Sequence, residues 1–144
     1  MDKISEESLM AIGPRVPIPI YVQKRGSKIY VDASGKGIIC YYVENTGAFR
    51  KKDNLLGTHN VLEYMAVEFA LECVAEGSEV DIYSDSMLVV NQLQGHWRIN
   101  EDRLREMRDR CRKIIHSKNL TVRFHWTPRT KNFAGKLIDR MIVD

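Results

Sequence analysis

The sequence predicts an α/β domain built on one five-stranded mixed sheet, with three strands in an antiparallel meander and two parallel strands, flanked by helices. Two observations lead there. Strand-like and helix-like stretches follow one another as strand, strand, strand, helix, strand, short helix, longer helix, strand, helix. That order implies a meander followed by crossover helices. At 144 residues and 44% hydrophobic content the chain can bury one good core, so one domain is expected.

Residues 1–27 stand apart, because Pro14, Pro17 and Pro19 forbid regular helix. An extended or partly ordered arm is expected there, with Ile18 to Val22 against a sheet edge, and the folded domain is expected over residues 28–144. In the first strand, Lys28 to Asp32, alternation puts Tyr30 and Asp32 on one face and Ile29, Val31 and Ala33 on the other. Ser34, Gly35 and Gly37 then turn the chain into strands Ile38 to Glu44 and Ala48 to Lys52.

A long apolar helix follows over Asn60 to Glu76. At roughly 100° per residue, Glu63 points the same way as Val67, Ala70 and Val74, while Glu68, Glu72 and Glu76 line the opposite, solvated face. A carboxylate in the apolar arc must find a partner or stay protonated. It can also be an acid resting near the positive helix N-terminus with no chemical task.

The next strand, Val80 to Asp85, runs directly into a short helical pattern marked by Met87, Val90 and Asn91. Either Ser84 or Asp85 makes a sound N-cap, so Asp85 reads as a cap, as a metal ligand, or as both. Between Arg98 and Lys113 basic and acidic residues interleave, while Leu104, Met107, Cys111 and Ile114 recur at helical steps. One stripe faces the core and the rest reads first as a salt-bridged, solvated face and second as a nucleic-acid patch. A strand over Thr121 to Trp126 and a closing helix complete the order.

Asp32, Glu63 and Asp85 are therefore acids at the seams of apolar elements, and together they suggest a metal site. Clustered carboxylates suit hard cations such as Mg²⁺, which prefer oxygen ligands and keep several waters. Two such ions about 3.5–4 Å apart can activate a water and stabilise a leaving oxygen.

Four stretches carry a resemblance to the type 1 ribonucleases H, within the wider ribonuclease H-like polynucleotidyl transferases. They are Ile29-Tyr30-Val31-Asp32-Ala33-Ser34, Thr58 through Ala66 around Glu63, Ile82-Tyr83-Ser84-Asp85-Ser86, and Trp126-Thr127-Pro128-Arg129 through Asn132 and Ala134. The resemblance runs from about Lys28 to Met141 and implies a ribonuclease H-like fold. It also implies cleavage of RNA within an RNA/DNA hybrid, leaving a 5′-phosphate and a 3′-hydroxyl, with two Mg²⁺ ions or Mn²⁺ in their place. Asp32 would bridge the ions while Glu63 and Asp85 hold one.

The family usually supplies a fourth carboxylate four residues after an asparagine like Asn132, and here that position is Lys136. Asp139, one turn further on, is the candidate to complete the set, or it faces water beside Arg140. The missing acid keeps a rival reading open, a catalytically weak module that binds nucleic acid or a protein. A DNA-cutting or strand-transferring relative with the same acids is a third reading. Arg129 sits where relatives keep a histidine or arginine assisting product release. It can grip the scissile phosphate or pair with a surface carboxylate, but it cannot shuttle protons near neutral pH.

Contacts to 2′-hydroxyls are expected from Asn60 and from backbone near Gly35 and Met87. Thr58 and Asn60 can cap the Glu63 helix or hold a phosphate. Asn100 reads first as the cap of the following helix and second as a phosphate contact. Trp97 reads first as packing on the sheet and second as stacking on a sugar or base. Family members with a basic protrusion insert extra residues between Gly95 and Asn100, where this chain is too short to hold one.

The remaining composition excludes other classes. Cys40, Cys73 and Cys111 are odd in number and widely spaced, which argues for buried free thiols in a reducing cytosol rather than a disulfide framework or zinc cluster. His59, His96, His116 and His125 have no ligand-like spacing. No apolar run suits a bilayer or a secretory signal, so a cytoplasmic monomer with no membrane partner is expected. The net charge of +3 and sequence pI near 8.8 permit a polyanionic partner.

Overall fold

The computed structural model describes residues 26–142. Five strands, β1 (Ser27–Ser34), β2 (Ile38–Val43), β3 (Phe49–Lys52), β4 (Glu79–Ser84) and β5 (Thr121–Trp126), form one sheet in the order β3-β2-β1-β4-β5. The β1–β2 and β2–β3 pairs are antiparallel, while β1–β4 and β4–β5 are parallel. The predicted meander and parallel pair are both present. Apart from Gly26 and Ser27, the latter opening β1, the expected arm over residues 1–27 and its segment Ile18 to Val22 lie outside the described residues.

The helices are α1 (His59–Cys73), α2 (Met87–Leu93), α3 (Asp102–Ser117) and α4 (Phe133–Ile142). One face of the sheet, carrying Ile29, Val31, Ile39, Tyr41, Val80 and Ile82, shares the main core with α1 and with Leu104, Met107 and Cys111 of α3. On the other face Tyr30 and Cys40 pack with Ala134 and Ile138 of α4. Because β1 is central and covered on both sides, every residue from Ile29 to Ala33 is buried, including Asp32. All three cysteines are buried and free.

Pairing between β1 and β4 stops at Tyr30–Tyr83, whereas β1 continues against β2 as far as Ser34–Ile38. Beyond Tyr30 the carboxyl ends of β1 and β4 are thus free to part, and a crevice at such strand ends is where open sheets place their ligands. The turn out of β1 is fixed by Gly37, at φ +89°, where any side chain would strike the Leu55 backbone.

Several boundaries differ from expectation for identifiable reasons. Helix α1 ends at Cys73 rather than Glu76, because Lys118 Nζ donates to the carbonyls of Leu71, Glu72 and Val74 at 3.1, 2.6 and 2.9 Å and terminates it. Glu68 is not on a solvated face, since α3 lies over it and Arg110 donates to both its oxygens at 2.9 and 3.0 Å. The N-cap of α2 is Ser86, whose Oγ accepts from the Val89 amide at 3.2 Å, and neither Ser84 nor Asp85 serves. Glu101 holds the cap position of α3 without a side-chain bond, so Asn100 is not that cap. Trp97 is 46% exposed rather than packed on the sheet.

Candidate metal centre

Three elements deliver the acids. Asp32 lies near the end of β1, Asp85 directly follows β4, and Glu63 stands on the second turn of α1. Thr58 starts that helix, its Oγ1 accepting from the Val61 amide at 3.3 Å, and the helix N-terminus favours a carboxylate nearby. One carboxylate oxygen from each of Asp32, Glu63 and Asp85 can be chosen so that all three lie within 4.8 Å of one another. Asp32 and Glu63 are 0% and 2% exposed, so the reading of Glu63 as an acid at an open helix end is replaced by a buried cluster.

The cluster shares out its oxygens in a regular way. Asp32 Oδ2 accepts from Arg129 at 3.2 Å, Glu63 Oε2 lies 3.3 Å from His59 Nε2, and Asp85 Oδ2 accepts from Asn132 at 3.2 Å and Arg129 at 3.5 Å. Asp32 Oδ1 and Glu63 Oε1 are buried with no hydrogen-bond partner among the described residues. Burial first, and the Asp85 charge second, push the Asp32 carboxyl up to about 7, against the pull of Arg129. Burial followed by the charges of Asp32 and Asp85 pushes Glu63 up to about 9. The Ala33 amide exerts a weaker lowering effect on both.

Buried acid oxygens without donors call for a proton or a cation, since leaving them charged and alone costs several kcal/mol. An all-oxygen set at this spacing fits a hard divalent ion. The site therefore passes the chemical requirements of a metal centre on its own geometry.

Arg129, in a short 3₁₀ turn (Arg129–Lys131), reaches into this group from the side. Its second terminal nitrogen donates to Asp139 Oδ1 at 3.3 Å, so Asp139 joins through the guanidinium, with its side chain 62% exposed. The surface pairing considered for Arg129 does occur with Asp139, together with contacts to Asp32 and Asp85. Lys136 Nζ sits 5.4 Å from the Phe133 ring centroid and forms no ion pair with the acids. Gly135 brings α4 against the cluster, for an added Cβ would lie 3.0 Å from Asp32 Oδ2.

Several neighbours were not singled out by sequence reasoning. Asn132, wholly buried, donates to the Val31 carbonyl at 2.9 Å and to Asp85, while its Oδ1 accepts from the amides of Ala134 and Gly135 at 3.0 and 3.3 Å. Its place just before a helix was the available signal. His59 is four residues before Glu63, the spacing of facing helical neighbours. Trp126, 46% exposed, donates from its indole N–H to the Asp85 carbonyl at 3.2 Å.

Of the expected nucleic-acid contacts, Gly35 is exposed in the turn after β1, Thr58 is exposed at the α1 cap, Asn60 is half-buried in its first turn, and Met87 opens α2 at 48% exposure. These four stand within a few residues of the acids. Trp97 and Asn100 lie on the exposed connection between α2 and α3. The basic stretch of α3 is laced by pairs of Arg103 with Glu106, Arg105 with Asp102, and Arg110 with Glu68, as a salt-bridged face requires.

A family described as reverse transcriptase-like matches residues 33–137, well over half of the chain and spanning all three acids but Asp32, which immediately precedes the match. The chain belongs to this family. Its fold is that of the ribonucleases H. Ribonuclease H1 of Halobacterium salinarum NRC-1 superposes with a TM-score of 0.65 at 24% identity, covering 79% of this chain and 98% of that one. LC11 ribonuclease H1, solved in complex with an RNA/DNA hybrid, gives 0.68 at 27% identity, covering 81% and 99%. Among curated proteins, the uncharacterized YpeP of Bacillus subtilis is 28% identical over 125 residues, 78% of this chain and 55% of YpeP. The bifunctional protein Rv2228c of Mycobacterium tuberculosis is 24% identical over 117 residues. This family member spans about half the length of YpeP and 32% of Rv2228c.

Proposed function

We propose that this chain is a metal-dependent endonuclease that hydrolyses the RNA strand of RNA/DNA hybrids, leaving 5′-phosphate and 3′-hydroxyl ends. The observation carrying this reading is the buried acid cluster with two unpartnered oxygens at the carboxyl ends of neighbouring parallel strands in a ribonuclease H-like fold. The hybrid bound to LC11 ribonuclease H1 supports the choice of substrate.

Asp32, Glu63 and Asp85 would hold Mg²⁺, or Mn²⁺ in its place, and Asp139 is the proposed further acid, reached through Arg129. When bound, divalent metal supplies an activated water and charge stabilisation at the leaving oxygen of an in-line displacement. The chain's own residues position the phosphate. Arg129 keeps its proton, held still more tightly by Asp32, so it grips a phosphate oxygen rather than shuttling a proton. Asn132 fixes the Asp85 carboxylate, and His59 fixes one oxygen of Glu63. Asn60 and the backbone around Gly35 and Met87 read 2′-hydroxyls, Thr58 and the α1 N-terminus hold a phosphate, and Trp97 and Asn100 extend the contact surface.

The acid cluster is complete within one chain, so a monomer suffices for the proposed activity. Among the described residues no helix is long and apolar enough to cross a membrane, and the three buried free thiols suit a reducing cytoplasm.

Lys136 favours the second reading, a catalytically weak binding module, but its ammonium lies over Phe133 rather than on the acids, which weakens that case. Competition between labelled hybrid, duplex DNA and duplex RNA, with the product ends mapped, tests the proposal. Preferential cutting of the RNA strand of the hybrid is expected. Binding of hybrid without cutting supports the module, and preferential cutting of duplex DNA assigns the site to a DNA-cutting relative.

A further inference from the structure

Asp32, Glu63 and Asp85 each commit one oxygen to a side-chain partner, and the other oxygen of Asp32 and of Glu63 has no hydrogen-bond partner among the described residues. Asp32 Oδ2, Glu63 Oε2 and Asp85 Oδ2 are engaged by Arg129, His59, Asn132 and Arg129 again. Asp32 Oδ1 and Glu63 Oε1 are buried and unpartnered among the described residues, and the side-chain donors to Asp85 fall on its Oδ2. One oxygen of each acid is thus left over, and the three acids approach within 4.8 Å of one another through one oxygen each, which suits a single hard cation that completes its shell with water.

The other side of Asp32 and Asp85 already has a cation. The Arg129 guanidinium spans Asp32, Asp85 and Asp139 at 3.2, 3.5 and 3.3 Å, joining two buried or half-buried acids to the exposed one. Position 136, where the resemblance leads one to expect a further carboxylate, is a lysine directed over Phe133. A guanidinium is always charged and has a planar fork of donors suited to bridging carboxylates.

We infer that this site takes one divalent cation, held by Asp32, Glu63 and Asp85, and that the Arg129 guanidinium stands in the position of a second. The inference rests on the metal-dependent reading above and revises its expected count of two ions. It makes Arg129 part of the charge that faces the phosphate, and it makes Asp139 the arginine's anchor rather than a metal ligand.

The test is Mn²⁺ binding to the full chain, counted by electron paramagnetic resonance of free and bound ion. The wild type should bind one Mn²⁺ per chain. Arg129→Ala and Arg129→Gln should bind two, because either change frees the oxygens of Asp32, Asp85 and Asp139. Arg129→Lys should remain at one, since a cation is kept. Arg129 is 55% exposed, and a thermal melt of each variant identifies any that has not folded. Two ions in the wild type would overturn the inference and leave the nuclease reading standing. One ion in wild type and in both neutral variants would remove the guanidinium from the second position. No binding at all would end both readings.

Discussion

Asn132 Nδ2 donates to Asp85 Oδ2 at 3.2 Å and, on its other side, to the Val31 carbonyl at 2.9 Å. One buried amide therefore ties the residue after β4 to the backbone of β1, one residue before Asp32. Its carbonyl oxygen at the same time caps α4 through the amides of Ala134 and Gly135. Three parts of the site share a single side chain.

Asn132→Ala should accordingly cost both stability and turnover. Losing a buried amide and a cap leaves the Val31 carbonyl and two amides unsatisfied, which is worth about 2–4 kcal/mol. Urea unfolding measures that loss, and the cleavage rate at saturating hybrid should fall with it. A stable variant with full activity would show that Asp85 does not depend on Asn132 for its position.

Ser86 and Asp85 are adjacent but should separate cleanly by mutation. Ser86→Ala removes the α2 cap and should lower stability by about 1 kcal/mol while leaving metal-dependent activity of the folded protein largely intact. Asp85→Asn keeps the cap and should abolish activity with little loss of stability, since it removes charge from a crowded acid cluster. Paired melting curves and cleavage rates check both halves. If Asp85→Asn destabilises while keeping its activity, the aspartate has a structural task only.

Stability without metal should fall as pH rises. Asp32 and Glu63 hold their protons in the fold up to about 7 and about 9, against ordinary values of 3.8 and 4.5. At a pH below those ordinary values both states are protonated and the pair contributes nothing. As pH climbs past them the unfolded chain releases its protons first, so folding is progressively penalised until the folded carboxyls ionise too. Urea midpoints in EDTA should decline from about pH 5 to about pH 9. Mg²⁺ should recover part of the loss, and Asp32→Asn should flatten the slope. Equal midpoints across that range would mean the two acids are not held apart from solvent and cations as described.

Gly135→Ala sets two effects against each other. Alanine in a helix interior gains about 1 kcal/mol over glycine, but the new Cβ would meet Asp32 Oδ2 at 3.0 Å. Asp32 lies in the central strand and its Oδ2 is held by Arg129, so it has little room to yield. Overpacking at about 1–3 kcal/mol should win. The variant should melt lower and bind Mn²⁺ more weakly; a higher melting temperature would mean that α4 can shift away from β1.

Much of this was legible in the sequence, for physical reasons that also explain the exceptions. Periodicity located the five strands and four α-helices of the described residues because the apolar faces of β1, β4 and α1 are read locally. Asp32, Glu63 and Asp85 stood out because charged residues at apolar seams need a partner. What stayed hidden depends on contacts between distant residues. Lys118 ends α1 from the far end of α3, and Arg110 covers Glu68 across two helices. Ser84, Asp85 and Ser86 are all competent caps, and only the backbone geometry selects Ser86. The outward course of Lys136 and the triple contact of Arg129 follow from how α4 docks beside Asp32, which no local pattern encodes.

Cleavage of an end-labelled RNA/DNA hybrid by the purified chain with Mg²⁺, Mn²⁺ or EDTA, beside Asp32→Asn, tests the central claim most directly. Cutting of the RNA strand alone, dependent on divalent metal and lost in the variant, is the expected result. Hybrid bound but uncut under every metal, or cutting that survives Asp32→Asn, would contradict it.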